Sequence, residues 1–334
     1  MKALQLVAPS ELAVVDLPVP EPGTGEVRLR VKACGICGSD LHGMDGSSGR
    51  RIPPIVMGHE ASGIVDAVGE GVSAWQAGDR VTFDSTVWCG ECGYCREGRV
   101  NLCDSRQVVG VACAEFRRDG AFAEYVTVPQ RILHRLPEGL SFEEAAFAEP
   151  VGVALHAVRR AGDVGGATVL VVGAGLIGLL IIQALKHAGA GKVIAVDLDQ
   201  GRLTLARELG ADETWISGGG MPPLLVDIAM EVVGAAPTVD LAIRSVRKGG
   251  KVVLVGNLSP NVPLPLQIVV TRELDVLGSC AIAGEYPEAL EAIASGSIRV
   301  KPLITASVTL GEGVDAFVKA KAPGALKVLI SNPS

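Results

Sequence analysis

Apolar and polar residues alternate along the first part of the chain. In EVRLRVKAC (26–34), Val27, Leu29, Val31 and Ala33 fall on one face and charged residues on the other, the period of a half-buried strand. SGIVDAVG, DRVTF and FAEYVTVP repeat the theme between Gly, Pro and Asp turn residues. A β-rich region over about the first 140 residues is predicted. At residue 141 the texture changes. SFEEAAFAEPVGVALHAVRR reads as helix, with Ser141 as cap and Glu144 completing a capping box.

From 168 onward strand and helix alternate. TVLVVG, KVIAVD, ADETWIS, VDIAMEVV, KVVLVG and LDVLGS read as strands, LIGLLIIQALKHAGA and GRLTLARELGA as helices. Such alternation implies an α/β doubly wound parallel sheet. Gly218–Leu225 holds three glycines and two prolines, so one crossover helix should be short or missing. The tail from about 283 returns to mixed texture.

One apolar run, ATVLVVGAGLIGLLIIQAL (167–185), approaches the length of a membrane span. Gly173, Gly175 and Gly178 split it into a strand and a helix, so no span is expected. The charge balance of 30 basic against 37 acidic residues, −7 overall, includes no basic stretch to neutralise phosphates. Nucleic acid is therefore excluded as the main partner. Hydrophobic residues make up 48%, enough for a large core and for apolar surface at a subunit contact. MKALQLVAPSELAVVDL lacks the pattern of a secretory leader, so a cytoplasmic location with reduced thiols is expected.

GAGLIG (173–178) fits G-x-G-x-x-G, with a strand before it, a helix after it and Asp197 closing the next strand. Gly173 allows the tight turn, Gly175 the approach of a pyrophosphate, and Gly178 close helix–strand packing. The helix N-terminus supplies free N–H donors for phosphate. Asp197 suits the ribose hydroxyls of NAD and repels the 2′-phosphate of NADP, while Arg202 nearby pulls the other way.

WCGECGYCREGRVNLC (88–103) spaces four cysteines as C-x2-C-x2-C-x7-C. Cys89, Cys92, Cys95 and Cys103 suit tetrahedral zinc, and no Pro follows the fourth as in the common iron–sulfur pattern. Four thiolates leave zinc no open position, so this lobe (about 85–105) should be structural. A metal with a vacancy has other candidates. Cys37, His59 and Glu60 offer sulfur, nitrogen and oxygen from two nearby segments, and Glu149 in the AEP turn is a further source. The competing readings are a Cys34–Cys37 redox pair and a core histidine at 59. Cys113 and Cys280 read as small core residues, and His134, His156 and His187 as structural or surface residues.

CGICGSDLH, GHEASGIVDAVGEGV, GDRV, the cysteine lobe, DGAFAEYVTVP, EPVGVALHAV, VVGAGLIG and VDLDQGRL occur in that order along nearly the whole chain. The set resembles the zinc-dependent medium-chain alcohol dehydrogenase superfamily, on its polyol and diol branch (sorbitol, butanediol, galactitol-phosphate and threonine dehydrogenases). The resemblance implies a GroES-like β-rich catalytic domain (1–148), a Rossmann NAD-binding domain (149–282) and a return to the catalytic domain (283–334). It implies two zinc ions per chain, one catalytic and one structural, and dimers or tetramers. Cys37 and His59 match the family's catalytic zinc ligands, and Glu60 and Glu149 match carboxylates that bind the metal directly, by exchange or through water. Asp40 matches the carboxylate that orients the ligand histidine. Ser39 matches the hydroxyl that accepts the substrate proton, and His42 the outer histidine of that relay. Ile177, Asp197, Arg202, Val255 and Gly256 match cofactor contacts.

The chain also departs from the sorbitol dehydrogenases. They carry Tyr where Gly43 stands and an Arg-Tyr pair where Ala281 and Ile282 stand, so sorbitol itself is in doubt. The expected reaction is hydride transfer from a secondary alcohol to NAD, giving a ketone. The alternatives are a zinc-free NADPH-dependent quinone or enoyl reductase and a non-enzymatic NAD- and zinc-binding protein. Arg50 and Arg51 could meet a phosphate or carboxylate, although a solvated loop is the simpler expectation.

Overall fold

The computed structural model describes residues 1–219 and 225–332. Most of the weak crossover expected at Gly218–Leu225 lies outside the described residues. The chain divides into two compact units. One comprises Met1–Glu149, Ile282–Ala294 and Val300–Ser334, the other Pro150–Ala281 and Ser295–Arg299.

The first unit is organised around strand Glu26–Gly35, which pairs with strands Glu60–Val68, Tyr125–Pro129 and Lys327–Ser331. Its alternation is used as written: Val27, Leu29 and Val31 are buried, while Arg30 is exposed. Removing each such aliphatic side chain from water stabilises the fold by about 1.5–3 kcal/mol. Leu4, Phe83 and Phe122 fill the same core. The pairing register sets Gly35 opposite Glu60 and Cys34 opposite Ala61. His59 and Glu60 therefore enter beside the end of the strand that leads to Cys37.

The second unit carries a six-stranded, wholly parallel sheet. Its spatial order is Glu213–Ile216, Lys192–Asp197, Thr168–Val172, Val226–Glu231, Val246–Leu254, Asp275–Gly278. Thr168–Val172, first in sequence, lies in the interior of the sheet, and its Val169, Leu170, Val171 and Val172 are buried on both faces. The order reverses at this strand, and ligands bind at such switch points of doubly wound sheets.

The helix expected over 141–160 is broken. Phe142–Ala145 forms one short helix and Ala148–Ala161 another. The Ser141–Glu144 capping box is present at the first. Pro150 explains the break: its ring excludes a helical carbonyl four residues earlier, and its missing N–H costs nothing in the first turn of a new helix. Among the described residues, no helix is long and apolar enough to cross a membrane.

Candidate metal centres and dinucleotide site

The four cysteines of the lobe converge. One donor atom from each of Cys89, Cys92, Cys95 and Cys103 lies within 4.8 Å of the others, and the Cys89 and Cys95 sulfurs are 3.9 Å apart. Zinc with four bonds of about 2.3 Å needs sulfurs about 3.8 Å apart, so the cage fits the ion. Gly90 and Gly98 turn the chain at positive φ, and a short helix, Gly93–Arg96, lies between them. Backbone N–H groups of Glu91 and Cys92 donate to Cys89 Sγ at 3.5 and 3.4 Å. These bonds pull Cys89 down to about 6, toward the thiolate a metal requires. Cys95 moves up instead, chiefly through desolvation.

A second group comprises Cys37, His59 and Glu60, whose donor atoms also lie within 4.8 Å of one another. Cys37 precedes a one-and-a-half-turn helix, Gly38–Gly43, and His59 and Glu60 are 6% and 2% exposed. Asp40 is wholly buried and accepts from the Cys37 N–H at 3.1 Å. Its other oxygen is 3.6 Å from His59 Nδ1, which has no hydrogen-bond partner of its own. Glu60 pairs with the ammonium of Lys327, which also donates to the Ile36 carbonyl at 3.1 Å. A side chain at Gly35 would meet both members of this pair, so only glycine fits there.

Burial pushes the Cys37 thiol up to about 11, with Glu60 adding to the effect. Burial likewise pushes Glu149 up to about 8; His59 opposes this, and Glu60 and Cys37 reinforce it. Glu149 is not among the three mutually close donors. Desolvation would lower Lys327, but the adjacent Glu60 carboxylate holds it raised. Sulfur, nitrogen and oxygen donors within 4.8 Å of one another, two of them on buried residues, are a set that a divalent cation can hold together. The donor set therefore fits zinc.

Ser39 and His42 are exposed on the same short helix. Cys34 is buried, and burial holds its thiol well above the ordinary range, against a redox partnership with Cys37. Cys280 is exposed rather than in the core. His134 stacks on Tyr286 at 4.8 Å.

In the second unit Gly173 has φ +101°, and a Cβ there would lie 2.6 Å from Val233. A Cβ on Gly178 would strike the Gly173 carbonyl. Gly175 has open space and starts helix Leu176–His187 without a side-chain cap. Its free N–H groups and vacant approach fit a pyrophosphate. Asp197 ends its strand, accepting from the Ala174 and Asp199 N–H groups at 2.7 and 2.9 Å. These bonds fix the carboxylate at the glycine turn, with a lone pair on each oxygen left for ribose hydroxyls. Val255 and Gly256 donate to the Glu231 carbonyl at 2.8 and 3.1 Å. Ile177 is half-buried at the start of the helix, and Arg202 Nε is buried without a partner.

Two family models match the chain, an alcohol dehydrogenase GroES-like domain over residues 23–138 and a zinc-binding dehydrogenase over 177–295. Sorbitol dehydrogenase of Bacillus subtilis (strain 168) is 36% identical over 96% of this chain and 93% of that protein. The chain belongs to the zinc-dependent medium-chain dehydrogenases, in their polyol branch. Among solved structures, a zinc-binding dehydrogenase from Sinorhizobium meliloti 1021, bound to NADP, is 35% identical, with a TM-score of 0.92 over 99% of each chain. An alcohol dehydrogenase from Escherichia coli CFT073, complexed with NADH, is 31% identical, with the same score and coverage.

This zinc-dependent dehydrogenase has its structural zinc site at Cys89, Cys92, Cys95 and Cys103 and a catalytic zinc-like site at Cys37, His59 and Glu60. The zinc-free reductase reading does not account for either site. Three buried residues escaped the sequence reading. Lys327 was visible only as a lone cation inside an apolar strand, KVLIS. Glu231, fully buried, accepts from the Val233 and Gly234 N–H groups at 2.9 and 2.8 Å and shapes that turn. Arg51, expected in a solvated loop with Arg50, is 4% exposed, whereas Arg50 is exposed.

Proposed function

We propose that the protein interconverts the secondary alcohol of a small polyol or diol and the corresponding ketone, with NAD as hydride acceptor. The supporting observation is the convergence of Cys37, His59 and Glu60, with one sulfur, one nitrogen and one oxygen donor within 4.8 Å of one another and His59 and Glu60 buried. Zinc, when bound, supplies the Lewis acidity that lets an alcohol release its proton near neutral pH.

The chain's own residues do the rest. Cys37 and His59 hold the metal, and Asp40 orients His59 through Nδ1, leaving Nε2 as donor. Glu60, tied to Lys327, and Glu149 stand as alternative oxygen donors. Ser39 accepts the substrate proton, and His42, exposed at the end of the same helix, passes it to solvent. Gly175 and the helix behind it hold the pyrophosphate, while Asp197 holds the adenosine ribose and disfavours a 2′-phosphate. Ile177, Arg202, Val255 and Gly256 line the cofactor. The catalytic domain is 1–148 with 283–334 and the cofactor domain 149–282.

The assembly is a homodimer or homotetramer. Exposed Leu258, Leu266 and Val270, at 57, 63 and 65%, support this reading, and light scattering tests it. The metal-suited thiols clustered in the lobe accord with a reducing, cytoplasmic location. The substrate class is tested by following NADH absorbance with 2,3-butanediol, sugar alcohols, phosphorylated polyols and 3-hydroxy amino acids. Reduction of NAD, and not NADP, by a diol or polyol is expected. Cofactor binding without turnover across the panel would leave a non-enzymatic binder.

A further inference from the structure

Arg51 is a buried cation beside the proton-handling side chains, and no role described so far uses it. One nitrogen, Nη2, donates to Asp40 Oδ1 at 3.0 Å and reaches Ser39 Oγ at 3.3 Å. Nη1 donates to the Arg50 carbonyl at 3.1 Å, and Nε is buried without a partner. The side chain reaches this place over Gly43, where a Cβ would lie 2.7 Å from Arg51 Cγ. The missing side chain at 43 is thus what lets Arg51 in.

We propose that Arg51 is a positioning residue for the dehydrogenase reaction, setting the direction of the Ser39 hydroxyl and fixing Asp40 behind His59. The inference rests on the dehydrogenase reading above. A serine hydroxyl has two lone pairs and one proton. Arg51 occupies one lone pair, which leaves one acceptor position and one donor position. That is the arrangement a through-relay needs. The substrate O–H bond breaks and its proton goes to Ser39 Oγ, while the proton already on Ser39 leaves outward. The electron pair of the alcohol O–H becomes the second C=O bond, and the carbon's hydride passes to NAD. Without Arg51 the hydroxyl has a second acceptor position and rotates among unproductive orientations. The same guanidinium holds the Asp40 oxygen that lies 3.6 Å from His59 Nδ1, so it also steadies the imidazole.

The test compares full-length, zinc-loaded wild type with Arg51→Lys, Arg51→Met and Gly43→Ala. Readouts are kcat and KM with the best alcohol and NAD, the solvent deuterium isotope effect on kcat, melting temperature, and the rate of catalytic-zinc release to a chelator. Arg51→Met should lower kcat by about tenfold to a hundredfold and change KM less than about threefold. Its solvent isotope effect should rise to about 2 or more, and zinc should leave about tenfold faster. Gly43→Ala, which displaces Arg51 but keeps its charge, should move kcat in the same direction. Arg51→Lys should restore zinc retention but not the isotope effect, because a shorter, rotating ammonium does not fix both partners. If Arg51→Met does not fold, the Lys and Ala variants decide. Wild-type kcat, isotope effect and zinc release in both would overturn the proposal. An inactive wild type would instead sink the dehydrogenase reading, and the zinc-release arm would still report on Arg51 and Asp40.

Discussion

The two groups of candidate metal ligands differ in almost every respect. The lobe draws four thiols from fifteen consecutive residues, Cys89 to Cys103, and nearby N–H groups lower Cys89 to about 6 and also lower Cys92, while desolvation raises Cys95. The other gathers three chemically different donors from two segments, with His59 and Glu60 buried and Cys37 half-buried, and desolvation raises Cys37 to about 11. A closed thiolate cage is stable by itself and offers no reactivity. A deficient, buried set holds its metal less fully, and so leaves the metal able to meet a substrate. The contrast teaches that reactivity here comes from incomplete satisfaction, kept in place by costly buried charges on Asp40, Arg51, Glu60 and Lys327.

The largest effects should separate the two groups. Cys37→Ser should lower turnover by about four orders of magnitude, with melting temperature and NADH binding unchanged. Steady-state kinetics and fluorescence titration of NADH check this. Cys92→Ser should do the reverse, losing the structural zinc and destabilising the fold by about 5 kcal/mol, because binding in such a lobe is folding free energy. Denaturant unfolding with zinc analysis reports it.

Lys327→Met sharpens the comparison from the other side. It leaves Glu60 buried without a counter-charge and should cost about 3 kcal/mol. The expected drop in melting temperature distinguishes a buried pair from the exposed ones, such as Lys2 with Asp16, whose removal should be hardly measurable. Asp197→Ala should raise the KM for NAD about tenfold and improve the use of NADP relative to NAD, with kcat little changed.

The smallest effect is a pH dependence near the core of the first unit. Burial lowers His134 from 6.5 to about 4 and raises Asp84 to about 6. His134 is neutral in the folded protein, so its contribution is lost as pH falls from 6.5 towards 4. Asp84 keeps its proton longer when folded, so its contribution is gained as pH falls from about 6. The two oppose each other. Asp84→Asn should therefore uncover a stability that declines on acidification between about pH 6.5 and 4, read from unfolding midpoints.

Much of this was legible along the chain because it is local. The glycine turn at 173–178 and the cysteine spacing at 89–103 each declare their chemistry within one stretch. The strand alternation at 26–34 does so too, since a period of two has one reading when one face is buried. Pairs made across the fold were not legible. Lys327 meets Glu60 across 267 residues, and nothing near either one marks the other. Arg51 reads as half of an exposed basic pair until the space above Gly43 is known. The break before Ala148 is local too: Pro150 marks it within the apolar stretch that otherwise reads as one helix.

The most direct measurement is an anomalous difference map at the zinc edge from crystals of the active protein grown with NADH. The account predicts two peaks per chain. One should lie amid the four lobe sulfurs, and the other within bonding distance of Cys37 Sγ and His59 with an oxygen donor from Glu60 or Glu149. An active crystal with a peak at the lobe and none beside Cys37 would contradict it.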